Sequence, residues 1–238
     1  ISPTLVLFTK HNSIMLLDMP ENAVLAFRLD RLRAGACHSG PSSIALNRLW
    51  NGSRIDRSGW DEASLLEFTW NSAALSIDFS CRFGNLNVNP DLGRGGPVPE
   101  LWNYDVLEFF LRPRGGFGYF EIEVSPLGQW LDLYVHRPRK EVDWDWRSGL
   151  LLESRVDDKR SVWEGRLQIP FAPMYDRFRE QANPRIDEVW RMNAYRVAGA
   201  APDRRYYAWR PTFTPEPDFH VPEAFGNLVF LEYDWVFA

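Results

Sequence analysis

The residues best suited to chemistry lie in the segment 101–111, LWNYDVLEFFL, which leaves a polar loop and enters a predicted strand. A strand places alternate side chains on opposite faces, so Val106, Glu108 and Phe110 share one face. A carboxylate between two apolar neighbours needs a partner or a ligand. Sugars suit such a place, because their C–H faces stack on aromatic rings while their hydroxyls bond to carboxylates. The segment therefore indicates a sugar site with Trp102 and Glu108, or else a core-edge Trp beside a structural ion pair.

A second candidate region is the aromatic stretch 206–230, YYAWRPTFTPEPDFHVPEAFGNLVF. Its prolines fix the backbone φ angle, so the rings that it carries lose little entropy when a ligand docks. The pattern predicts a rigid surface loop that runs into a last strand. Such a loop serves either as a binding platform or as the closure of a core, and its residues alone leave both interpretations open.

Carboxylates and histidines are the other side chains that could act in catalysis or bind a metal. Glycoside hydrolysis needs paired carboxylates, and several pairs are available among Glu108, Glu121, Glu123, Asp132 and Glu164, but none has a diagnostic spacing. The four His show no zinc-ligand spacing. In residues 85–91, Asn or Asp occupies every second position, as oxygen ligands do in a calcium loop. The segment lacks the EF-hand glycine and glutamate, which favours a solvated turn. The sequence thus predicts a protein that is not an enzyme and assigns no metal ligands.

Short segments with a two-residue apolar period must position these residues. The clearest is a hairpin of residues 66–70 and 75–81 around a turn at 71–73. The other period-two segments are 104–111, 119–125, 129–135, 150–156, 162–169 and 190–198. Residues 172–181 carry apolar side chains four apart and predict one short helix. Many short strands between turn-formers predict an all-β antiparallel sandwich or jelly roll.

Length and composition limit the domain organisation and the possible partners. At 238 residues the chain fits one β domain, and we expect it over residues 46–238, with residues 1–45 as an N-terminal extension packed on it. In that extension Leu25, Phe27 and Leu29 alternate as a strand does, although a helix also fits. The net charge of −5, with basic residues scattered among acids, disfavours nucleic acid as a partner.

Two further features concern membranes and cysteines. No apolar run approaches the roughly 18 residues that a membrane-spanning helix needs, so we expect no membrane partner. Cys37 and Cys81 could form one disulfide or stay as two thiols, and two cysteines alone do not identify a cellular compartment.

Six segments together resemble carbohydrate-binding module family 9 and its wider relatives with a DOMON-like β-sandwich. In family order they are FTWNSAALSIDFSC, WNYDVLEFFLRP, YFEIEVSPLGQWLD, VWEGRLQIPF, WRMNAYRVAG and YYAWRP…FHVPEAFGNLVF. The resemblance implies non-catalytic binding of mono- or oligosaccharides, gripped between two aromatic side chains. It also implies an extracytoplasmic or secreted location and association with glycan-degrading proteins. It implies no cofactor, although structural calcium accompanies some members.

The resemblance also carries site residues over by position. The first stacking aromatic of the family matches Trp102, and the acid on the following strand matches Glu108. The second stacking aromatic falls on Phe219, a smaller ring that stacks less area than Trp. Where the family has basic and amide side chains, this chain has Glu123 and Ser125. This departure puts the sugar specificity in doubt.

Three more residues complete the predicted site. Asn193 and Arg196 in WRMNAYR are expected to supply the hydrogen-bond donors that the departure at Glu123 removes. His220, next to Phe219, is expected to face the site.

Two other functions stay open at this stage. DOMON-like relatives hold haem b for electron transfer through Met paired with His or Lys, and Met192 with His220 is the candidate pair here. A structural or protein-interaction domain is the third possibility.

Overall fold

The period-two segments form β-strands, interrupted by one short α-helix in the part of the chain that the structure describes. This computed structural model describes residues 4–10, 13–19, 22–28, 43–54, 63–178 and 183–231. The strands are β1 (Thr4–Lys10), β2 (Ser13–Met19), β3 (Ala23–Arg28), β4 (Ser43–Leu46), β5 (Arg48–Leu49), β6 (Ser64–Trp70), β7 (Ala74–Arg82), β8 (Val106–Arg112), β9 (Tyr119–Val124), β10 (Trp130–Arg137), β11 (Glu141–Asp143), β12 (Leu151–Asp157), β13 (Val162–Pro170), β14 (Val189–Ala198), β15 (Arg205–Ala208) and β16 (Gly226–Leu231). The helix is α1 (Ala172–Phe178).

The predicted hairpin is the pair β6 and β7, which are antiparallel neighbours. Asn71 shapes the turn, since its Oδ1 accepts hydrogen bonds from the backbone N–H groups of Ala73 and Ala74 at 2.8 and 2.9 Å. The later period-two segments correspond to β8, β9, β10, β12, β13 and β14. The ambiguous segment near Leu25 is strand β3. Period two therefore located the strands correctly.

Eleven strands of the described chain follow one hydrogen-bonded path, in the order β11-β10-β9-β8-β14-β16-β3-β6-β7-β13-β12. Neighbours on this path are antiparallel except at β3, which runs parallel to both β16 and β6. The inward faces of β8 and β9 share one apolar core with those of β6, β7 and β13. The fold is thus the predicted β-sandwich, and residues 23–28 are part of its sheet. Where the module begins along the chain stays a prediction.

Two buried clusters lie on opposite faces of β8. Leu107 and Phe109 belong to the main core between the halves of the sandwich, with Trp163 from β13. Phe110 on the opposite, outer face belongs to a second cluster, together with Tyr195 from β14. Both faces of β8 are therefore buried, and its outer face needs a cover.

The cover is the aromatic stretch predicted as a rigid loop, and we call residues 209–225 the cover loop. At the start of the cover loop, the N–H groups of Thr212 and Phe213 both donate to the carbonyl of Trp50 at 2.9 Å. Further along, the Tyr195 hydroxyl donates to the carbonyl of Phe219 at 3.1 Å. The cover loop therefore lies over the outer face of β14 and closes the second cluster.

Two sequence predictions concern cysteines and membranes. Cys81 is a free, buried thiol, whereas Cys37 lies outside the described residues. No helix in the described ranges is long and apolar enough to cross a membrane.

Candidate functional site

Three glutamates converge on the outer face of β8 and β9. The antiparallel register places Glu108 directly opposite Glu123, and Phe110 opposite Glu121. One carboxylate oxygen from each of the three lies within 4.8 Å of the others. Glu108 and Glu121 are 4% exposed and Glu123 is 0% exposed. We call these three residues the carboxylate cluster.

Burial changes the proton affinity of the carboxylate cluster. It raises the pKa of Glu121 from 4.5 to about 7. Burial, and then the charge of Glu121, raise the pKa of Glu108 well above its ordinary value. Burial and both neighbouring carboxylates do the same to the pKa of Glu123. Protons are therefore shared within the cluster at neutral pH, since three adjacent buried carboxylates cannot all be ionised cheaply.

The carboxylate cluster forms the floor of a cavity of about 500 Å³. Two tryptophans line it, and both are partly open to solvent, since Trp102 is 36% and Trp144 is 49% exposed. Their ring centroids are 6.4 Å apart and their planes meet at 49°. The cavity is thus apolar on one wall and acidic at its floor. An apolar wall contacts the C–H face of a sugar ring, and an acidic floor accepts hydrogen bonds from its hydroxyls.

Short loops hold the two tryptophans in place. Trp102 lies in a single 3₁₀ turn, residues 101–103, whose Leu101 is fully buried. Trp144 follows β11, and Arg147 Nη1 donates to its carbonyl at 2.7 Å. The next residue but one, Trp146, is tied by its indole N–H to the carbonyl of Pro173 at 3.2 Å. These contacts fix the loop around Trp144, whose ring lies at the cavity wall.

Three basic side chains line the cavity, and each has a partner. Arg139 binds Asp218 through two hydrogen bonds of 2.7 and 3.3 Å. Burial raises the pKa of Asp218, but the bond from Arg139, the bond from the backbone N–H of His220 and the charge of Arg139 together outweigh it and hold that pKa below its ordinary value. Arg204 donates to the backbone carbonyl of Trp102. These contacts leave the acids on the floor without a close arginine partner in the described chain.

The third basic side chain is His220, which lies between the carboxylate cluster and the second apolar cluster. Its Nδ1 is 2.6 Å from the Tyr119 hydroxyl and 3.8 Å from Glu121. Burial lowers the pKa of His220 to about 4. His220 is therefore neutral at physiological pH and does not offset the charge of Glu121.

Comparison with known protein families supplies the identification. The sequence profile of carbohydrate-binding family 9 matches residues 97–230, which is more than half of the chain. The chain belongs to carbohydrate-binding family 9. The matched range contains β8 to β16 up to Phe230, and therefore the whole cavity floor and both tryptophans.

Similar chains are known in animals and similar folds in bacteria. The UPF0462 protein C4orf33 homolog of Rattus norvegicus is 29% identical over 187 residues, covering 69% of this chain and 86% of that protein. UPF0462 protein C4orf33 of Homo sapiens is 30% identical over 142 residues, covering 57% and 64%.

Two solved structures share the fold. One is a putative carbohydrate-binding protein from Bacteroides uniformis, with a TM-score of 0.67 and 14% identity, covering 88% of this chain and 99% of that one. The other is a family 9 carbohydrate-binding module from Caldicellulosiruptor kristjanssonii in complex with glucose, with a TM-score of 0.55 and 9% identity, covering 89% and 97%. These likenesses confirm the β-sandwich predicted for this family 9 chain.

Five of the seven predicted site residues line the cavity of this family 9 module. They are Trp102, Glu108, Glu123, Phe219 and His220. Asn193 lies on the outer face too, opposite Phe110, but it serves the cover loop. Its side chain exchanges two hydrogen bonds with the backbone of Arg210, at 2.8 and 3.0 Å. Asn193 therefore supports the site from behind without lining it.

Arg196 does not reach the cavity, so its predicted role as a donor is corrected. In β14 it lies opposite Leu107, on the face that points into the main core. It is fully buried there and donates to the Ser64 hydroxyl and the Arg82 carbonyl at 2.9 and 2.8 Å. Because successive strand residues point to opposite faces, Arg196 and the outer-facing Tyr195 cannot serve the same site.

Phe219 lines the cavity, but it is not positioned as the exposed partner of Trp102. Its ring stacks on Tyr195 with centroids 4.1 Å apart and planes at 10°, and the residue is 7% exposed. Trp144 is the second exposed tryptophan ring in the cavity lining. The pattern Asp-Trp-Asp-Trp at residues 143–146 allows a ring at the rim of a site and equally a ring that only packs, so the sequence alone does not assign Trp144 to the cavity.

Glu121 lines the cavity although it is not among the seven predicted site residues. The signal was available, because Glu121 and Glu123 share a strand face by period two. Arg139, Arg204 and Asp218 were missed, and they come from loops whose approach to the cavity no local pattern encodes.

The two candidate haem ligands lie on different faces of the sheet, and the Asn-rich loop is held by hydrogen bonds of its own amides. Met192 is fully buried in the main core, opposite Leu111, whereas His220 lies on the other face of the sheet. In the Asn-rich loop, Asn87 Nδ2 donates to the Asn103 carbonyl at 3.1 Å and Asn89 Nδ2 donates to the Tyr104 hydroxyl at 3.0 Å. These two amides hold the loop together, as a structured turn requires.

Proposed function

We propose that this chain is a non-catalytic carbohydrate-binding module whose cavity takes a mono- or oligosaccharide. The observation that carries the proposal is the pairing of two accessible tryptophan rings with a floor of buried carboxylates in one cavity. Aromatic rings bind the apolar C–H faces of a sugar, and carboxylates accept hydrogen bonds from its hydroxyls. Membership of carbohydrate-binding family 9 supports the same ligand class.

The size and the polar groups of the cavity suit such a ligand. Its volume of about 500 Å³ lies within the range of roughly 300 to 1,000 Å³ that small-molecule sites occupy. The carboxylate cluster supplies acceptors, while Asn103, Arg139 and Arg204 in the lining supply donors. A sugar carries both kinds of group on each hydroxyl, so a mixed lining fits it.

The two tryptophans favour a particular mode of stacking. A sugar ring between two parallel aromatic planes needs about 7 to 8 Å between them, from two carbon contacts of about 3.5 to 4.0 Å. The rings of Trp102 and Trp144 are 6.4 Å apart and tilted by 49°. They form a V-shaped wall, and in this arrangement a sugar stacks on one ring at a time. A clamp around the sugar requires one ring to swing outward.

The spacing of the acids favours binding over hydrolysis. Glycoside hydrolases place two carboxyl groups on either side of the scissile bond, about 5 to 10 Å apart. Here one carboxylate oxygen from each of the three acids lies within 4.8 Å of the other two on one floor. The three acids therefore lie on the same side of a sugar bound above them and do not flank its glycosidic bond.

We also propose that the module acts outside the cytoplasm beside glycan-degrading proteins. This part of the proposal is supported by the family alone. Detection of the native protein in extracytoplasmic fractions of its source tests it, and exclusive recovery from the cytoplasm contradicts it.

Isothermal titration against a panel of mono- and disaccharides tests the sugar proposal. We expect heat with at least one sugar, and a loss of on the order of tenfold or more in affinity for Trp102→Ala and for Trp144→Ala, because each removes a stacking ring. The matched control is Phe117→Ala, an exposed aromatic outside the cavity, which should bind as the unchanged chain does. No heat with any sugar, or unchanged affinity in both Trp variants, contradicts the proposal.

A further inference from the structure

We propose that Glu108, Glu121 and Glu123 together bind one divalent cation of the size of calcium at the floor of the cavity. Calcium takes oxygen ligands at about 2.3 to 2.6 Å, so two oxygens on one ion lie at most about 5 Å apart. One oxygen from each glutamate already lies within 4.8 Å of the other two. Magnesium has shorter bonds of about 2.0 to 2.1 Å, demands near-octahedral geometry and loses its waters reluctantly, so calcium suits a cluster of three protein carboxylates better.

Glu123 gives an independent reason to expect a cation. It is 0% exposed and lines the cavity. Within the described chain, neither of its carboxylate oxygens accepts a hydrogen bond from an N–H or O–H donor. A buried carboxylate without such a donor is costly unless a cation or a proton compensates it. In the cation-free protein the protons shared within the carboxylate cluster compensate this charge, and a cation that displaces them is the ligand that a buried, cavity-lining Glu123 without an N–H donor can accept.

The basic side chains around the cavity do not meet this need. Arg139 is occupied by Asp218, and Arg204 by the carbonyl of Trp102. The ion pairs among the described residues include a contact of His220 with Glu121 at 3.8 Å but none with Glu108 or Glu123. A cation that binds here displaces the protons shared within the carboxylate cluster, and a doubly charged ion then offsets more of the released negative charge than a single ammonium group does.

The protein leaves part of the coordination sphere open to the cavity. Calcium takes six to eight oxygen ligands, and three carboxylates supply between three and six of them. The other positions face the space between the carboxylate cluster and the two tryptophans. Water can fill them, and so can the hydroxyls of a sugar stacked on Trp102 or Trp144. Cation binding itself does not depend on the sugar proposal.

The test uses the full chain, treated with a chelator and then desalted. Terbium replaces calcium and emits when nearby tryptophan is excited, and Trp102 and Trp144 line the same cavity. We expect saturation at one terbium per chain, displacement by calcium, and weaker displacement by magnesium. Glu123→Gln should weaken calcium binding by on the order of tenfold or more, since affinity follows the number of charged ligands. Glu108→Gln should act in the same direction.

The control is Glu153→Gln, the same charge change on the exposed side of β12, which should leave cation affinity unchanged. Circular dichroism establishes that each variant is folded before it is titrated. The proposal is overturned if no cation binds, or if the Glu123 and Glu108 variants bind calcium as tightly as the Glu153 control. It is also overturned if an amino sugar, in the presence of chelator, binds in a Glu123-dependent manner while calcium does not. Because these titrations contain no neutral sugar, failure of the sugar proposal leaves their outcome unaffected.

Discussion

Glu121→Gln is expected to stabilise the cation-free protein at alkaline pH and to change it little at acid pH. Burial raises the pKa of Glu121 from 4.5 to about 7, so the folded protein holds this proton more tightly than the unfolded chain does. The resulting stability is fully present below pH 4.5 and is lost as the pH rises through about 7. One pKa unit corresponds to about 1.4 kcal/mol, so ionised Glu121 costs about 3 kcal/mol near pH 8. Gln keeps the shape of the side chain and does not ionise.

Urea denaturation of both proteins in the presence of a chelator measures this effect across the pH range. We expect the variant to exceed the unchanged chain by less than about 1 kcal/mol near pH 4.5 and by about 3 kcal/mol near pH 8. For a chain of this size that difference is roughly 6 to 12 °C in Tm. His220, whose pKa is lowered to about 4, contributes stability that is lost as the pH falls from 6.5 through about 4. That contribution occurs in both proteins and largely cancels in the difference.

The pH dependence of the difference is the decisive quantity. A gain that is equal at acid and alkaline pH would mean that Gln packs better and that ionisation of Glu121 is not penalised. A variant that is less stable near pH 8 would mean that the ionised carboxylate has favourable partners. Either result refutes the description of the carboxylate cluster as a proton-sharing site. Glu153→Gln, on the exposed strand β12, serves as the control and should show no difference at either pH.

Two further predictions concern the parts that support the cavity. Gly118→Ala should destabilise the fold by on the order of 2 to 3 kcal/mol in urea denaturation, because its Cβ would lie 2.1 Å from the carbonyl oxygen of Val135. Gly84→Ala, where nothing lies within 4 Å, is the control, and equal effects of the two would contradict the packing described. Asn193→Ala should cost on the order of 2 to 3 kcal/mol and weaken sugar binding, because it removes two hydrogen bonds to the cover loop at Arg210. Unchanged stability and affinity by denaturation and calorimetry would refute that role.

Much of the fold could be predicted because burial follows the strand period. In β8, Leu107 and Phe109 enter the main core while Glu108 and Phe110 enter the outer cluster, as alternation requires. The same rule applies to β14. Asn193 and Arg196 are an odd number of residues apart in a strand, so they lie on opposite faces and cannot line one cavity. Period two alone was sufficient to exclude one of them.

The contribution of Trp144 to the aromatic wall could not be predicted from the strand period. Trp144 meets Trp102 because β11 pairs with β10, in a register that shifts between Val135 and Arg137. Such an irregularity depends on tertiary packing and has no periodic signal. Phe219 is not an exposed stacking ring for a similar reason, because the outer-facing Tyr195 stacks against it. Contacts between distant loops decide which rings stay accessible.

Asp132 shows why the carboxylate cluster calls for a ligand while other buried acids do not. Like Glu123 it is 0% exposed, but its Oδ2 accepts hydrogen bonds from the N–H and the hydroxyl of Ser148 at 2.6 and 2.7 Å. Arg147 lies 3.6 Å from its other oxygen. Asp132 is thus a structural acid, with two hydrogen bonds to one oxygen and an ion pair to the other, although that second oxygen accepts no hydrogen bond within the described chain. Glu123 accepts no such bond within the described residues, and local rules are broken most often where a protein binds something. The contrast between these two fully buried acids, on neighbouring strands, favours ligand binding over support of the fold as the proposed role of the carboxylate cluster.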